Sequence, residues 1–541
     1  MRKPYAVTLD VGSSLANLTG SWRSQRPVYV DRLPPCNATC PAGENIQQWL
    51  FHAEEGHYEA AWRTLTRDNP LAAIMGRVCY HPCENACNRG ELDESVGINA
   101  VERFLGDEAN RHNWQFAPVT RASGKRVMIV GSGPAGLSAA YHLRCQGHAI
   151  VIFEAESQSG GMMRYGIPQY RLPRETLDQD IQRIVNMGVE LRLNERIDDI
   201  EATMREQGFD ACFLGVGSQI GKRAYIPAGD ARHITDAVAV LHEMAGDDKP
   251  LLGRRVVVYG GGNTAIDVAR TARRLGADQS IIVYRRTRER MPAHGHEVDE
   301  AIEEGVKLKW LSTIAAADNE SITVEKMALD EDGFPQPTGE FETMEADALV
   351  LALGQDVDLE LLERIDDLKI DKGVVQVDAV QHTTHAGIFA GGDMVGGERT
   401  VTVAVGHGKK AARAIDAFLD GKVYTPQPKH EQATYDRLNT WYYADAPKTI
   451  RPVLDIIRRQ STFDEVIGSL DEENALYEAR RCMSCGNCFE CDTCYGVCPD
   501  NAVIKLGPGR RFEFNYDYCK GCGLCAAECP CGAIRMEPEP T

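Results

Sequence analysis

Residues 125–136, KRVMIVGSGPAG, decide the fold of the middle of the chain. A short apolar strand runs into three glycines, and a helical stretch follows them. In this setting Gly131 makes the tight turn, Gly133 lets a pyrophosphate approach the helix N-terminus, and Gly136 lets the helix pack closely on the strand. A second apolar strand ends at Glu154, an acid placed to suit a ribose hydroxyl. The pattern predicts a dinucleotide-binding, Rossmann-like domain; a purely structural turn is the alternative.

The same pattern returns at residues 255–265, RVVVYGGGNTA. Here no acid ends the second strand. Arg285 and Arg286 stand at that position, with Arg290 close by. Because a cationic pair suits the 2′-phosphate of NADP better than a bare ribose, we expect NADP(H) rather than NAD(H) in this domain. A basic turn exposed to solvent is the alternative interpretation of the arginines.

A third glycine-rich segment, residues 387–393 (GIFAGGD), precedes a helical stretch that follows Thr400. Alone, it could be a simple strand, turn and helix. Together with the two motifs above, it resembles the closing motif of flavoproteins that bind two dinucleotides. That resemblance implies that Asp393 contacts the ribityl and phosphate region of FAD and that the helix N-terminus faces the flavin ring.

The 18 cysteines form two groups separated by a long gap. Five lie between Cys36 and Cys87, and eleven lie between Cys482 and Cys531. The first twenty residues lack the apolar core of a secretory signal, so we expect a cytoplasmic chain. In that setting, such density favours metal or iron-sulfur ligation over disulfides.

The C-terminal group contains two copies of the run Cys-x2-Cys-x2-Cys-x3-Cys-Pro, which ligates cubane clusters in bacterial ferredoxins. Three thiolates of each run bind one cluster, and the fourth reaches the other cluster. One predicted cluster therefore has the ligands Cys488, Cys491, Cys494 and Cys529. The other has the ligands Cys519, Cys522, Cys525 and Cys498. A pair of zinc knuckles is the alternative, but zinc knuckles use separated cysteine pairs.

Between residues 35 and 419 the sequence resembles the small-subunit family of bacterial glutamate synthase, a family shared with the N-terminal half of dihydropyrimidine dehydrogenase. The resemblance rests on these motifs: Pro35-Cys36-x3-Cys40-Pro41, Gly76-Arg77-Val78-Cys79, Pro82-Cys83-x3-Cys87, GGMMRYGIP at 160–168, NTAIDVAR at 263–270 and Ala390-Gly391-Gly392-Asp393. It implies an FAD domain split by an inserted nicotinamide domain. It also implies an N-terminal helical domain whose two 4Fe-4S clusters exchange electrons with FAD.

The motifs and the resemblance together give a set of expected site residues. The residues expected to bind FAD or NAD(P)(H) are Gly131, Gly133, Pro134, Ala135, Gly136, Glu154, Gly161, Arg164, Gly260, Gly262, Asn263, Thr264, Ala265, Arg285, Arg286, Arg290, Gly354, Gly392, Asp393, Thr400 and Ala404. For one N-terminal cluster, the resemblance implies the ligands Cys40, Cys79, Cys83 and Glu102. No catalytic residue is expected beyond these, because the cofactors perform the redox chemistry.

The second N-terminal cluster departs from the family pattern. The opening Cys-x2-Cys expected just before Cys36 is missing, so this site keeps only Cys36 and Cys87. Near the other end of the chain, Cys482 and Cys485 stand in a similar Arg-Cys-x2-Cys-Gly sequence. We predict that these four thiols share one cluster that joins the two ends of the chain, which makes four clusters in all. The alternatives are that Cys482 and Cys485 are free or join the neighbouring cluster, while the Cys36 site is empty or degraded.

The predicted fold class is α/β, with two Rossmann-like domains, an N-terminal helical iron-sulfur domain and a C-terminal α+β ferredoxin-like domain. The expected domains are the helical domain 1–120, FAD domain parts 121–245 and 346–425, the NAD(P) domain 246–345, a linker 426–480 and the ferredoxin-like domain 481–541.

Composition excludes some partners. The 59 Lys and Arg against 79 Asp and Glu give a net charge of −20, which disfavours nucleic acid and anionic membranes. No apolar run approaches the ~18 residues of a membrane helix.

We therefore expect an NAD(P)H-dependent FAD and iron-sulfur oxidoreductase that works as an electron-transfer subunit. The expected partner is a ferredoxin or a redox subunit, for example of a 2-oxoacid or aldehyde oxidoreductase. The alternatives are a glutamate synthase small subunit and a non-catalytic iron-sulfur scaffold.

Overall fold

The computed structural model describes residues 18–222, 226–227, 234–246 and 249–540. The N-terminal region is mainly helical and packs around the buried rings of Trp49 and Trp62. Proline occupies the first turn of two of its helices, where the missing N–H costs no hydrogen bond. Its elements are β1 (Gln25–Tyr29), α1 (Pro35–Thr39), α2 (Ile46–Glu54), α3 (Tyr58–Thr66), α4 (Ala72–Val78), α5 (Pro82–Asn85) and α6 (Ile98–Arg111).

The next segment alternates short apolar strands with helices, as parallel sheets require. Its elements are β2 (Arg126–Val130), α7 (Pro134–Cys145), β3 (Ala149–Phe153), α8 (Met162–Tyr165), α9 (Arg174–Val185), β4 (Glu190–Arg192), α10 (Ile200–Gln207) and β5 (Ala211–Leu214). All four strands are parallel and belong to one sheet.

A second parallel sheet follows, with the strand order β10-β9-β8-β14-β7. A three-stranded antiparallel meander, β11 to β13, interrupts it. The elements are β6 (Ile220–Gly221), β7 (Ile234–Asp236), α11 (Ala237–Glu243), β8 (Arg255–Tyr259), α12 (Asn263–Arg274), β9 (Gln279–Val283), α13 (Gly295–Glu303), β10 (Lys307–Lys309), β11 (Ser312–Ala317), β12 (Ser321–Leu329), β13 (Pro335–Glu345), β14 (Ala348–Leu351) and β15 (Gln355–Asp356).

The chain then returns to the first sheet through β16 (Ile370–Asp371), β17 (Val374–Val375), β18 (Ile388–Ala390) and α14 (Val401–Leu419). Strand β18 lies beside β5, so the first sheet has the order β18-β5-β2-β3-β4. The chain leaves the first sheet through β6 and returns to it through β15. These two segments lie side by side, because β6 pairs antiparallel with β15. The predicted fold class, with a second Rossmann-like unit inserted into the first, is confirmed.

The exact boundaries differ from the expected ones. Strand β7 precedes residue 246 and β14 follows residue 345, yet both belong to the second sheet. Strand β7 has three residues and β14 has four, and each lies near the point where the chain passes between the sheets, so the sequence alone does not decide which sheet it joins.

Residues 426–480 contain two helices, α15 (Ile456–Ser461) and α16 (Glu472–Arg480). Ala475 and Ala479 of α16 are buried in the core of the N-terminal helices. This segment, expected as a linker, therefore contributes α16 to the core of the N-terminal helical region.

The C-terminal unit is a small α+β fold. Its elements are α17 (Thr493–Gly496), β19 (Val503–Lys505), β20 (Phe512–Phe514), α18 (Leu524–Ala527) and β21 (Ile534–Pro538). Strand β21 pairs antiparallel with β1, from Gln25 opposite Pro538 to Tyr29 opposite Ile534. Strand β1 thus completes the C-terminal unit, although the sequence places it in the N-terminal domain. Within the described ranges, the helices are too short or too polar to cross a membrane.

Candidate active site and cluster sites

A cavity of about 800 Å³ opens between the two parallel sheets. This volume lies within the range of cofactor pockets, ~300–1,000 Å³. Its wall includes most of the expected cofactor residues, namely Gly131, Gly133, Pro134, Ala135, Glu154, Gly161, Gly262, Asn263, Thr264, Gly354, Gly392, Asp393, Thr400 and Ala404. Both dinucleotide motifs therefore face one shared space.

The first glycine motif has the geometry of a phosphate cradle. Gly131 has φ +99°, and a side chain there would meet the Gly215 carbonyl oxygen at 2.5 Å. A side chain on Gly136 would collide with the Gly131 carbonyl oxygen. At Gly133, by contrast, no atom of the described residues lies within 4 Å of an added Cβ. The turn is therefore crowded on its protein side and open on its cavity side, which fits a bound pyrophosphate.

Glu154 is held firmly at the end of β3. Its Oε2 accepts hydrogen bonds from the backbone N–H of Ser132 at 2.9 Å and from Ser132 Oγ at 2.5 Å. Its Oε1 accepts one from the backbone N–H of Glu156 at 3.0 Å. The carboxylate is thus fixed at the cavity wall, where an FAD ribose would lie.

The third motif contributes the other end of the cavity. The Thr400 hydroxyl accepts a hydrogen bond from the Val403 N–H at 3.2 Å and caps α14, so the N-terminus of this helix faces the cavity. Burial raises the pKa of the nearby Asp393 carboxyl, and Arg399 partly opposes this effect. A hydrogen bond from a ribityl hydroxyl would satisfy this buried carboxyl.

The second glycine motif repeats these features. A side chain on Gly260, which has φ +152°, would collide with the Ala352 carbonyl oxygen. Among the described residues, nothing lies within 4 Å of a Cβ on Gly262. Ala265, which follows the turn, is buried in the hydrophobic core of this domain.

The arginines expected to bind a 2′-phosphate lie outside the wall of the central cavity. Arg285 is exposed after β9. The Arg286 guanidinium lies 5.6 Å from the centre of the Phe334 ring. The carbonyl of Arg290 accepts a hydrogen bond from the Tyr284 hydroxyl at 2.7 Å. The three residues sit on one turn beyond the carboxyl end of β9, the end at which dinucleotides bind.

Arg164 is held by contacts with Ser159 and Asp178. Its Nε donates to the Ser159 carbonyl at 2.6 Å, and its guanidinium forms an ion pair with Asp178. The side chain therefore fixes the loop that carries Gly161, whereas Gly161 itself lines the cavity.

Two residues of the cavity wall that the sequence analysis did not single out contact the nicotinamide domain. Tyr80 lines the cavity, and its hydroxyl accepts a hydrogen bond from Asn263 Nδ2 at 2.8 Å. Arg171 donates to Asp267 Oδ2 at 2.8 Å and contacts Glu297 Oε1 at 2.5 Å. The only sequence signal for Tyr80 is its place next to Cys79, and Arg171 carries none.

The first N-terminal cluster site lies directly behind the cavity. Its expected ligands Cys40, Cys79, Cys83 and Glu102 come together. Burial, and after it the nearby Glu102 carboxyl, raise the pKa of Cys79 to about 12. Glu102 Oε1 accepts a hydrogen bond from Asn69 Nδ2 at 3.0 Å. Iron would hold these buried thiols as thiolates, which the protein alone disfavours.

The second site draws on both ends of the chain. One small cavity is lined by Cys36, Cys87, Cys482 and Cys485. Burial raises the pKa of Cys36 well above the usual thiol range, and the thiols of Cys482, Cys87 and Cys485 add to the rise. The structure therefore brings together the four thiols predicted to share a chain-crossing cluster.

The C-terminal thiols group in the crossed arrangement. A small cavity is lined by Cys498, Cys519, Cys522 and Cys525. Cys488 lies beside Cys494 and Cys529, and Cys491 lies beside Cys494. In the described ranges, no three His, Cys, Asp or Glu side chains converge tightly enough to hold a single metal ion.

Comparison with known proteins identifies the parts. Residues 125–408 match the pyridine nucleotide-disulphide oxidoreductase family. Residues 23–114 match the 4Fe-4S cluster domain II of dihydropyrimidine dehydrogenase, and residues 512–535 match a 4Fe-4S binding domain. The chain belongs to the pyridine nucleotide-disulphide oxidoreductase family. It is an NAD(P)H-dependent flavin and iron-sulfur oxidoreductase of the glutamate synthase small-subunit type, as the resemblance implied.

Three relatives show which kinds of protein this chain is similar to. The beta subunit of the NADP(+)-dependent formate dehydrogenase of Moorella thermoacetica is 35% identical and aligns with 83% of this chain and 70% of its own length. The beta subunit of the NADPH-Fe(3+) oxidoreductase of Geobacter sulfurreducens is 34% identical, over 87% of this chain and 78% of its own. The small chain of the NADPH glutamate synthase of Escherichia coli is 32% identical, over 72% of this chain and 89% of its own.

The expected nicotinamide domain contains no cysteine pair. Residues 246–345 contain no cysteine. The cysteines of this chain are concentrated instead in the groups described above.

Proposed function

We propose that this oxidoreductase is the electron-transfer subunit of a larger redox complex, passing electrons between NAD(P)(H), FAD and four 4Fe-4S clusters. FAD supplies the conversion between a two-electron hydride and single electrons. The observation that carries the proposal is the position of Cys79. Its neighbours on both sides, Val78 and Tyr80, line the flavin cavity. A cluster on Cys79 would therefore lie one residue from the cofactor space.

The remaining thiols support a continuous path away from this site. Cys83 of the first site lies close enough to Cys36 of the second for the Cys36 thiol to raise the pKa of Cys83. In the second site, Cys485 precedes Cys488 of the ferredoxin-like unit by three residues. Tyr443 lies near enough to thiols of both for them to raise its pKa, and its hydroxyl donates to the Met483 carbonyl at 2.9 Å. Cys491 and Cys522, one from each C-terminal cluster site, are exposed.

The protein residues bind and orient the cofactors. Gly133 and Gly262 leave room for the pyrophosphates, and Glu154 and Asp393 would accept hydrogen bonds from FAD hydroxyls. For the second nucleotide we propose NADP(H), with Arg285 and Arg286 at its 2′-phosphate.

The partner is proposed from the relatives. Two of them are named as beta subunits of formate dehydrogenase and of an NADPH-Fe(3+) oxidoreductase, so a separate catalytic subunit is expected here too. A 2-oxoacid or aldehyde oxidoreductase subunit, or a soluble ferredoxin, would accept electrons by the same route. The glutamate synthase small chain aligns with 72% of this chain, whereas the two beta subunits align with 83% and 87% of it.

The central test is anaerobic purification with measurement of flavin, iron and dye reduction. We expect bound FAD, about four iron atoms per predicted cluster, and NADPH-dependent reduction of a viologen dye. A flavin-free chain, or one that contains zinc in place of iron, would overturn the proposal.

The chain-crossing cluster has its own test. In the double variant Cys482→Ser and Cys485→Ser, we expect a loss of about four iron atoms per chain with flavin retained. The double variant Cys145→Ser and Cys212→Ser, at cysteines remote from the cluster sites, should keep all its iron. Unchanged iron in the first variant would contradict the crossing cluster.

A further inference from the structure

Cys531 is a buried thiol that none of the four predicted clusters uses. It is 2% exposed, and its Sγ lies 3.8 Å from Sγ of the ligand Cys529. This distance is within the range of a hydrogen bond between sulfurs. A cluster ligand is a thiolate and has no proton to give, so in the loaded protein Cys531 must be the donor.

The two ferredoxin runs offer an internal comparison. In the first run, the Ala502 N–H donates to Cys498 Sγ at 3.2 Å. In the second, the Ala533 N–H donates to Cys529 Sγ at 3.3 Å. The backbone around the two fourth ligands is thus equivalent.

The two runs differ at the second residue after the fourth ligand. In the first run this residue is Asp500, whose carboxylate lies 3.4 Å from Lys520 Nζ. In the second run it is Cys531, whose side chain is directed to the ligand sulfur. Only the second run therefore adds a side-chain donor to its fourth ligand at this position.

We propose that the Cys531 thiol donates a hydrogen bond to Cys529 and raises the reduction potential of the cluster held by Cys488, Cys491, Cys494 and Cys529 above that of its twin. The inference rests on the proposed function, because it requires that both clusters are present. A neutral S–H donor directs the positive end of its bond dipole at the ligand sulfur and so stabilises the added electron.

The position of Cys531 shows which of the two C-terminal clusters would have the higher reduction potential relative to the path from the flavin. Its carbonyl accepts a hydrogen bond from the Gly486 N–H at 2.6 Å, so the turn is fixed to the residue that follows Cys485 of the chain-crossing site. The favoured cluster is therefore the inner one, next to the path from the flavin. Electrons would collect there before they reach the outer cluster of Cys519, Cys522 and Cys525.

The test is a redox titration of the anaerobically purified full chain, followed by electron paramagnetic resonance. In Cys531→Ala we expect one 4Fe-4S midpoint potential to become more negative while the others and the iron content stay unchanged. Cys531→Ser keeps a shorter donor and should shift the potential less. Cys212→Ala, a buried thiol in strand β5, is the matched control and should match the unsubstituted protein.

A gain-of-function variant keeps the test informative if Cys531→Ala folds poorly. Asp500→Cys places a thiol at the equivalent position of the first run and should raise the potential of the second cluster. Unchanged potentials in both variants would overturn the inference, and so would a loss of about four iron atoms in Cys531→Ala, which would mark Cys531 as a ligand. If the unsubstituted protein lacks clusters or is not reduced by NADPH, it is the proposed function that fails.

Discussion

The hydroxyl of Tyr80 accepts a hydrogen bond from the side-chain amide of Asn263 at 2.8 Å. Tyr80 follows the thiol of Cys79, and Asn263 is the first residue of α12 in the second dinucleotide motif. The Tyr80 ring also stacks on His294, with 3.6 Å between ring centres. The N-terminal helical region and the nicotinamide domain thus meet at one tyrosine on the wall of the flavin cavity.

We predict that Tyr80→Phe weakens NADP(H) binding while FAD stays bound. The change leaves the Asn263 amide without this partner at a domain junction, which costs about 0.5–1.5 kcal/mol and corresponds to roughly 2- to 10-fold in affinity. Calorimetric titration with NADP+ measures the effect. Tyr259→Phe removes a hydroxyl contact with Thr313, 2.6 Å long, in the same domain and should leave the affinity unchanged. Equal effects of the two variants would contradict the prediction.

Gly133→Ala should fold normally and lose FAD. The φ of Gly133 is −70°, and its Cβ would point into open space within the described part of the protein, so the added methyl group meets only the cofactor. Gly262→Ala should keep FAD and lose reduction by NADPH. Flavin absorbance and stopped-flow reduction separate the two. Retention of FAD by Gly133→Ala would show that the pyrophosphate does not lie at this turn.

Arg285→Ala should lower the preference for NADPH over NADH. Loss of a charged hydrogen bond to the 2′-phosphate costs about 1.5–3 kcal/mol, or roughly 10- to 100-fold in kcat/KM for NADPH, with little change for NADH. Arg288→Ala is the control, because Arg288 is paired with Asp299. An equal loss with both nucleotides would contradict the assignment of a phosphate contact.

Glu304 should anchor the nicotinamide domain at neutral pH. Burial would raise its pKa, but hydrogen bonds from Arg270 and Arg274 outweigh burial and hold the pKa at about 2, below the usual 4.5. Because the folded pKa is depressed, this stabilisation is complete above about pH 4.5 and is lost as the pH falls towards 2.

We therefore predict that Glu304→Gln lowers the free energy of unfolding of this domain at pH 7 by about 3–5 kcal/mol, since three buried arginines lose their shared carboxylate. Hydrogen exchange in α12 measures the domain separately from the others. The difference from the unsubstituted protein should shrink below pH 4.5. Glu303→Gln is the control, because Glu303 is largely exposed and its ion pair with Arg459 adds little. A pH-independent difference would contradict the role of the charge.

The sequence was most informative where chemistry fixes the spacing of residues. Glycines spaced like Gly131, Gly133 and Gly136 between a strand and a helix have few structural interpretations other than a dinucleotide-binding turn. The first sheet could therefore be located from them. The cysteine spacing likewise led to the crossed grouping, and the family resemblance led to the predicted meeting of Cys36 with Cys482. The glycine and cysteine patterns each span a few neighbouring residues, so they can be recognised without knowledge of the tertiary structure.

Contacts between distant segments were not predictable in the same way. Strand β1 has no sequence feature that marks β21 as its partner, because pairing depends on backbone hydrogen bonds that most residues can make. Arg164 stands in a motif of the family, yet its direction depends on Asp178, fourteen residues on. Tyr80 and Arg171 gain their importance only when three domains pack together.

The pairing of β1 with β21 determines when the C-terminal unit can fold during synthesis of the chain. Residues 25–29 leave the ribosome early, whereas their partners at 534–538 follow roughly 25–100 s later at ordinary rates of synthesis. During that interval the strand edge is available to other chains, and the inorganic centres of the last unit cannot be enclosed. Maturation of this enzyme should therefore be a post-translational step, sensitive to how quickly iron and sulfide are supplied once translation ends.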